Sequence, residues 1–380
     1  MKIAIDCRHY LGDRPCRFHR RCRCGHYGPM GRRILIIKIG ALGDVVRTAC
    51  LLPTLKRMHP QSHITWITKP EGARILWGHP MIDRLFAFDA EGILAVGRQE
   101  FDLVLSLDKE PAPTALCNAV QAPDKRGIRM SRWGTAEPCG RLCKSYLELG
   151  LDDDLKFRGN RLTYPELIHR ALGLKYVREP YYLPCDEETL NRAASVFRRW
   201  RRGVSGRVVG LNIGAGSMFA NKAPSRSRWA KVAEALRKRG RAVVLLGGPD
   251  EARDMDWLLS RVRGLRSTGC NNSEREFVGL VSQCDAVITG DTLGLHVAVA
   301  RGVPVVALFG PTCEQEIDLF DRGTKIVTSA SCGPCYRRRC DKEPSCMEMI
   351  PVERIVASAD DVLGQRAAGA CCRSRSPRKR

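Results

Sequence analysis

Residues 286–311 read AVITGDTLGLHVAVARGVPVVALFGP. Ala286–Thr289 is a short apolar run with β-branched residues, which predicts a buried strand. Gly290-Asp291-Thr292 interrupts it, and Asp291 or Thr292 can cap a following helix. Leu295, Val299 and Val303 keep helical spacing. Gly302 suits the left-handed residue that ends a helix. Val303–Phe309 predicts a second apolar strand, closed by Gly310-Pro311. Strand, helix and strand make one βαβ unit, and that implies a parallel sheet.

The turn between strand and helix carries the chemistry. A helix start leaves backbone N–H groups unpaired and bears partial positive charge. It binds anions readily where a glycine lets a ligand approach. Gly290 and Gly294 offer that room, and His296 lies in the first turn, on the side a phosphate would occupy. The plainer reading makes Asp291 an N-cap and His296 a surface or core histidine.

Working upstream, the same alternation recurs. Val208–Ile213 predicts a strand, followed by Gly214-Ala215-Gly216-Ser217, a turn able to present N–H groups. A helix over 228–239, a strand over Ala242–Leu246 and the turn Gly247–Glu251 follow. Helices over 254–262 and 277–282 lead into the first stretch.

An earlier series starts at RILIIKIGALGDVVRTA, residues 33–49. Ile34–Ile39 predicts a strand, Gly40 and Gly43 frame a loop, and Asp44 opens an amphipathic helix. This is neither the GxGxxG fingerprint nor a P-loop. Asp44 reads as an N-cap carboxylate, or as a base at the C-terminal edge of a parallel sheet, where open α/β sheets bind ligands. Strands over 64–68, 83–88 and 101–107 follow, the last ending at Asp108 and Lys109. Helices are expected from 73, over 114–120 and over 164–174. Residues 122–165 are polar and punctuated by Gly and Pro, and resist assignment.

Residues 179–185, EPYYLPC, read as an extended linker, and 187–200 as a basic helix. The expected architecture is therefore α/β, with two facing Rossmann-like domains, parallel sheets and a cleft between them. One spans 32–185 and the other 186–365, ending in a helix over 351–365. No internal repeat is strong enough to indicate duplication. A Cys/His-rich basic extension, 1–31, precedes them. A basic tail, 366–380, follows, and its Arg/Ser composition predicts disorder.

The formal net charge is +22, and 13 of those charges fall within residues 1–33 and 366–380. Such ends suit a polyanion: lipid head groups, an anionic glycolipid or nucleic acid. No stretch approaches the roughly 18–20 apolar residues of a membrane helix. The Arg- and Cys-studded N-terminus has no signal-peptide core, so the expected compartment is the cytoplasm.

Eighteen cysteines in such a chain point to metal where they cluster, and to small core residues where they scatter. Cys7, His9, Cys16, His19, Cys22, Cys24 and His26 could hold Zn²⁺. So could Cys332, Cys335, Cys340 and Cys346, in CGPCYRRRCDKEPSC, which could equally take an iron–sulfur cluster. Idle or redox-active thiols are the alternative.

The order of motifs resembles glycosyltransferase family 9, the lipopolysaccharide heptosyltransferases. The matching pieces are ILIIKIGALGDVVRT, NIGAGS, the Lys222…Trp229 segment, LLGGPDE, CDAVITGDTLGLHVAVARGVPVVALFGPT and CGPCYRRRCDKEPSCMEMIP, across residues 33–355. The resemblance implies a GT-B fold, inversion at the transferred sugar and no catalytic metal. It implies an ADP-heptose donor and the inner core of a lipid A-linked saccharide as acceptor. Asp44 matches the family's proposed general base, and Lys222 a lysine on the donor phosphate. Glu251 falls where an acid meets the ribose. Asp291, Thr292, Leu293, Gly294, Leu295 and His296 match the pyrophosphate and sugar loop, and Gly214 and Gly216 the facing turn. Two departures touch this donor site. Leu293-Gly294 replaces the first glycine of DTG-x-x-H and its neighbour, and Lys222-Ala223-Pro224 replaces Lys-Arg-Trp or Lys-His-Trp.

Chemistry agrees with the resemblance. A carboxylate can deprotonate an acceptor hydroxyl, and helix-end amides, Lys222 and His296 can stabilise departing ADP without a divalent ion. The basic ends fit peripheral contact with the anionic inner face of the inner membrane. The rival readings are a nicotinamide-dependent oxidoreductase and a nucleic-acid-binding protein. The missing GxGxxG counts against the first. Terminal placement of the charge, with no RNP, KH or zinc-finger spacing, counts against the second.

Overall fold

A computed structural model describes residues 3–16, 18, 22, 25–201 and 206–371. The chain divides into two compact units. The first is Met1–Lys156 with Pro165–Arg178, and the second is Phe157–Tyr164 with Glu179–Arg380. The chain therefore changes unit three times, not once near residue 185.

The first unit is built on strands β1 (Arg33–Ile37), β2 (His63–Thr68), β3 (Arg84–Ala87), β4 (Leu103–Ser106), β5 (Lys125–Met130) and β6 (Ala136–Pro138). Their order across the sheet is β3-β2-β1-β4-β5-β6. All neighbouring pairs are parallel except β5 with β6. Ile34, Leu35, Ile36 and Ile37 have no exposed surface, as a strand covered on both faces requires. Each such side chain contributes about 1.5–3 kcal/mol by its burial.

The second unit holds β7 (Val208–Asn212), β8 (Ala242–Leu246), β9 (Arg266–Ser267), β10 (Ala286–Gly290), β11 (Val305–Phe309) and β12 (Gly323–Val327). The order is β12-β11-β10-β7-β8-β9, wholly parallel. Renumbered from its own first strand, this is the order of the first sheet. In both, the first and fourth strands lie side by side and the connections depart in opposite directions from them. That junction is the switch point at which open α/β sheets bind ligands, beyond the strands' C-terminal ends.

The segment 122–165, which resists assignment from sequence, contains the β5–β6 hairpin. The C-terminal helix is Val352–Cys371, so it runs on into the stretch expected as a tail. The remainder of that tail, 372–380, lies outside the described residues. Gly302 has φ +68° and ends its helix as expected. No helix among the described residues is long and apolar enough to cross a membrane.

The N-terminal extension is folded onto the first unit. Cys7 bridges Pro29 in antiparallel fashion, and Arg8 pairs with Asp83 at 2.5 Å. Asp83 also accepts from Lys56 Nζ at 3.0 Å and from the Ile64 amide at 2.9 Å. Of the metal set expected there, His19 and Cys24 lie outside the described residues. Cys7 is buried, and His9 and His26 flank the ring of Phe18 with centroids 4.6 and 4.7 Å away. Those two imidazoles lie against an aromatic ring.

Candidate active site

In the first unit, β1 runs into Lys38-Ile39-Gly40-Ala41, and a short helix, Leu42–Thr48, follows. Asp44 sits in its first turn, where a carboxylate is favoured by the helix dipole. Its carboxylate is about one-third exposed and meets Arg47 at 2.8 Å, which fixes its direction. Asp108 follows β4, on the other side of the switch point. One of its oxygens pairs with Lys38, and the other accepts the amides of Ile39 at 2.5 Å and Gly40 at 3.2 Å. Asp108 thus pins the loop that presents Asp44.

In the second unit, β7 and β10 end side by side. Asn212, the last residue of β7, lies 3.0 Å from Thr289 Oγ1, 2.9 Å from Thr292 Oγ1 and 3.3 Å from the Gly214 carbonyl. One amide therefore ties the two loops of the switch point together. The helix Leu293–Ala300 starts there, with Thr292 as its N-cap in backbone only, since its side chain makes no capping bond. Gly294 to Ala300 are all buried, so this helix lies within the unit, and Leu293 stays partly exposed.

The Asp291 carboxylate lies between two cationic or titratable partners. Lys222 Nζ is 3.4 Å from one oxygen and donates to the Asp291 carbonyl at 3.3 Å. His296 Nε2 is 3.9 Å from the other oxygen. His296 is buried, and its Nδ1 meets the Tyr181 hydroxyl at 3.0 Å. It belongs to an internal chain, Tyr181–His296–Asp291–Lys222. Glu251 caps its own turn by accepting the Gly248 amide at 2.8 Å, and its carboxyl packs on Gly214. Gly216 has φ +70°, a conformation that favours glycine.

The sequence reading gave Gly290 and Gly294 to an approaching ligand. The structure gives their space to the protein itself. A Cβ on Gly290 would overlap the Lys222 carbonyl, and one on Gly294 would come within 2.8 Å of the Asn212 amide carbon.

Residues 93–345 match the profile of glycosyltransferase family 9 (heptosyltransferase), which is more than half of the chain. The chain belongs to glycosyltransferase family 9. It is 24% identical over 361 residues to lipopolysaccharide heptosyltransferase 3 of Escherichia coli K12, covering 86% of this chain and 97% of that one. The crystal structure of a family 9 glycosyltransferase from Veillonella parvula superposes with a TM-score of 0.71 at 21% identity, over 88% of this chain and 98% of that one. The E. coli ADP-heptose LPS heptosyltransferase II gives 0.64 at 18% identity, over 88% and 99%. The fold is GT-B, and the enzyme class is glycosyl transfer, not hydride transfer.

Two residues of this family 9 glycosyltransferase escape a reading by motif: Asp108 and Tyr181. Asp108 is 70 residues from Lys38, and Tyr181 is 115 from His296, so only the fold brings them together. Asn212 opens the NIGAGS motif, but the motif alone does not give its role in tying the two loops; its signal is its place at the end of an apolar strand run, where a buried amide needs partners.

The cysteine knuckle departs from expectation. Cys346 is buried, and a Cβ on Gly310 would come within 2.5 Å of its sulfur. Burial, followed by the nearby thiols of Cys335, Cys340 and Cys332, pushes the Cys346 thiol up to about 11. Cys340 is exposed. Among the described residues no three His, Cys, Asp or Glu side chains are grouped to hold a metal ion, and that includes these four cysteines. As arranged, the donor set does not fit a tetrahedral site. Backbone bonds hold the knuckle instead: the amides of Cys335 and Tyr336 donate to the Pro311 carbonyl at 3.0 and 2.9 Å. The Tyr336 ring stacks on Phe157 at 5.5 Å.

Proposed function

We propose that this enzyme is an inverting transferase that moves a heptose, or a related sugar, from an ADP-sugar to the inner core of a lipid A-linked saccharide. One observation carries the reading. Asp44 and Asp291 stand just beyond the switch-point strands β1 and β10 of two sheets with the same strand order. The first unit would take the acceptor and the second the nucleotide-sugar. The name of the E. coli relative, an ADP-heptose transferase, supports the donor.

In this scheme Asp44 takes the proton of the acceptor hydroxyl as its oxygen attacks the anomeric carbon. The bond from that carbon to the diphosphate oxygen breaks, configuration inverts, and ADP leaves with the electron pair. Lys222 and the amides at the start of helix Leu293–Ala300 receive the charge that builds on the diphosphate. Asp291 holds Lys222, and His296, aimed by Tyr181, orients Asp291 from behind. Glu251 meets the ribose beside Gly214. No cofactor enters the scheme. The enzyme would act in the cytoplasm, against the inner leaflet that carries its acceptor, and would need no nucleic acid.

The test is a screen of ADP-heptose, other ADP-sugars and UDP-sugars with a lipid A–core acceptor, read by mass spectrometry. A gain of one heptose from the ADP donor is expected. Absence of transfer from every ADP-sugar, or a product that retains the donor's anomeric configuration, overturns the proposal.

A further inference from the structure

The β5–β6 hairpin is unused by the chemistry above, and its construction is unusual. β5 pairs with β4 over Lys125–Gly127, opposite Val104–Ser106; beyond that, Ile128–Met130 pair with β6 alone. The hairpin therefore projects past the C-terminal edge of the first sheet, the edge that carries Asp44 and Asp108. Its tip is ordered. The Ser131 amide donates to the Thr135 carbonyl at 2.7 Å, and the Ser131 hydroxyl oxygen accepts the amides of Trp133 and Thr135 at 3.2 and 3.3 Å. Gly134 takes φ +76°.

This ordered turn presents Trp133 with 75% of its surface exposed. The Arg132 guanidinium lies 4.5 Å over the ring. Residues 125–144 carry six Lys or Arg against Glu137 alone, and Glu137 is bound by Arg129 at 2.8 Å. Leu142, just after the hairpin, is 63% exposed. A large indole left in water is not explained by packing within the unit. Indoles partition into the boundary between head groups and acyl chains, and guanidinium groups bind phosphates.

We infer that the hairpin tip, Trp133 with Arg132, docks the enzyme on an anionic phospholipid surface. The inference rests on the transferase reading for its amphiphilic acceptor: the edge that holds the proposed base also holds the anchor. Complementary charge selects the occupant. The ring enters the head-group layer, and the Arg132 guanidinium beside it meets a lipid phosphate.

The test is sedimentation of the full chain with vesicles of phosphatidylethanolamine and phosphatidylglycerol, against vesicles of phosphatidylcholine. Trp133→Ser and Arg132→Glu are each expected to lower binding to the anionic vesicles roughly fivefold or more. Trp77→Ser, which removes a comparably exposed indole outside the hairpin (64% exposed), is expected to bind as wild type. Circular dichroism melts confirm that each variant folds. Wild-type binding by both hairpin variants, or an equal loss in Trp77→Ser, overturns the inference. Sedimentation reads no sugar transfer, so failure of the transferase reading would appear in the donor screen alone.

Discussion

Lys38 and Asp108 form an ion pair in the interior of the first unit, with side chains 5% and 3% exposed. A buried pair of this kind contributes little by itself, because desolvation offsets the attraction. Its effect lies in what the carboxylate's second oxygen does, which is to hold the amides of Ile39 and Gly40. Removing one partner strands a buried charge. Asp108→Ala should cost about 3–5 kcal/mol of stability and abolish transfer with it. Adding Lys38→Met should restore much of the stability but not the activity, since the loop amides remain unheld. Chemical denaturation and the transfer assay on both variants check this.

Asp44→Asn keeps the shape of the first helical turn and removes the base. Transfer should fall roughly 10²–10⁴-fold, with ADP affinity nearly unchanged. Near-full turnover in this variant would remove Asp44 from the chemistry.

Lys222→Ala should weaken ADP binding about 10–100-fold, the range of a charge-assisted hydrogen bond. His296→Ala should reduce transfer more than ADP affinity, because the ring is buried and reaches the site through Asp291. Tyr181→Phe keeps the ring and removes the hydroxyl at 3.0 Å, so it should lower kcat modestly and leave KM for the donor alone. Leu293→Gly introduces the glycine that the resemblance implies at this position and should widen the range of donors accepted. Calorimetry with ADP, run beside steady-state kinetics, separates these outcomes.

Asp83 links pH to the N-terminal extension. Burial pushes its carboxyl upward, but the Ile64 amide, Arg8 and Lys56 outweigh burial and hold it below the ordinary carboxylate value. A group depressed in the folded state adds stability above its unfolded value, about pH 4. That stability is lost as pH falls further. Thermal melts of wild type and Asp83→Asn should therefore differ at pH 6–7 and converge toward about pH 3.

The βαβ units were legible because buried parallel strands leave continuous apolar runs, as at Ile34–Ile37 and Val305–Phe309. The β5–β6 hairpin was not, since Lys125, Arg126 and Arg129 break the apolar pattern that marks a strand. The candidate site was legible only in its local parts. A glycine in sequence announces a close approach without naming what approaches. At Gly290 and Gly294 the approaching groups were Lys222 and Asn212, 68 and 82 positions away. The cysteine spacing was equally ambiguous, because it records nearness along the chain and not the direction of each sulfur.

The threefold passage of the chain between units has a consequence for exchanging halves among relatives at the gene level. A splice after Lys156 would leave the first unit without Pro165–Arg178. The missing stretch holds His169, whose Nε2 meets Thr54 Oγ1 at 3.0 Å. A splice after Arg178 keeps the first unit whole but takes Phe157 from the host, while its stacking partner Tyr336 comes from the donor. Chimeras cut there need residues 157–164 replaced as well, so the smallest interchangeable module of this enzyme is two separate pieces of sequence.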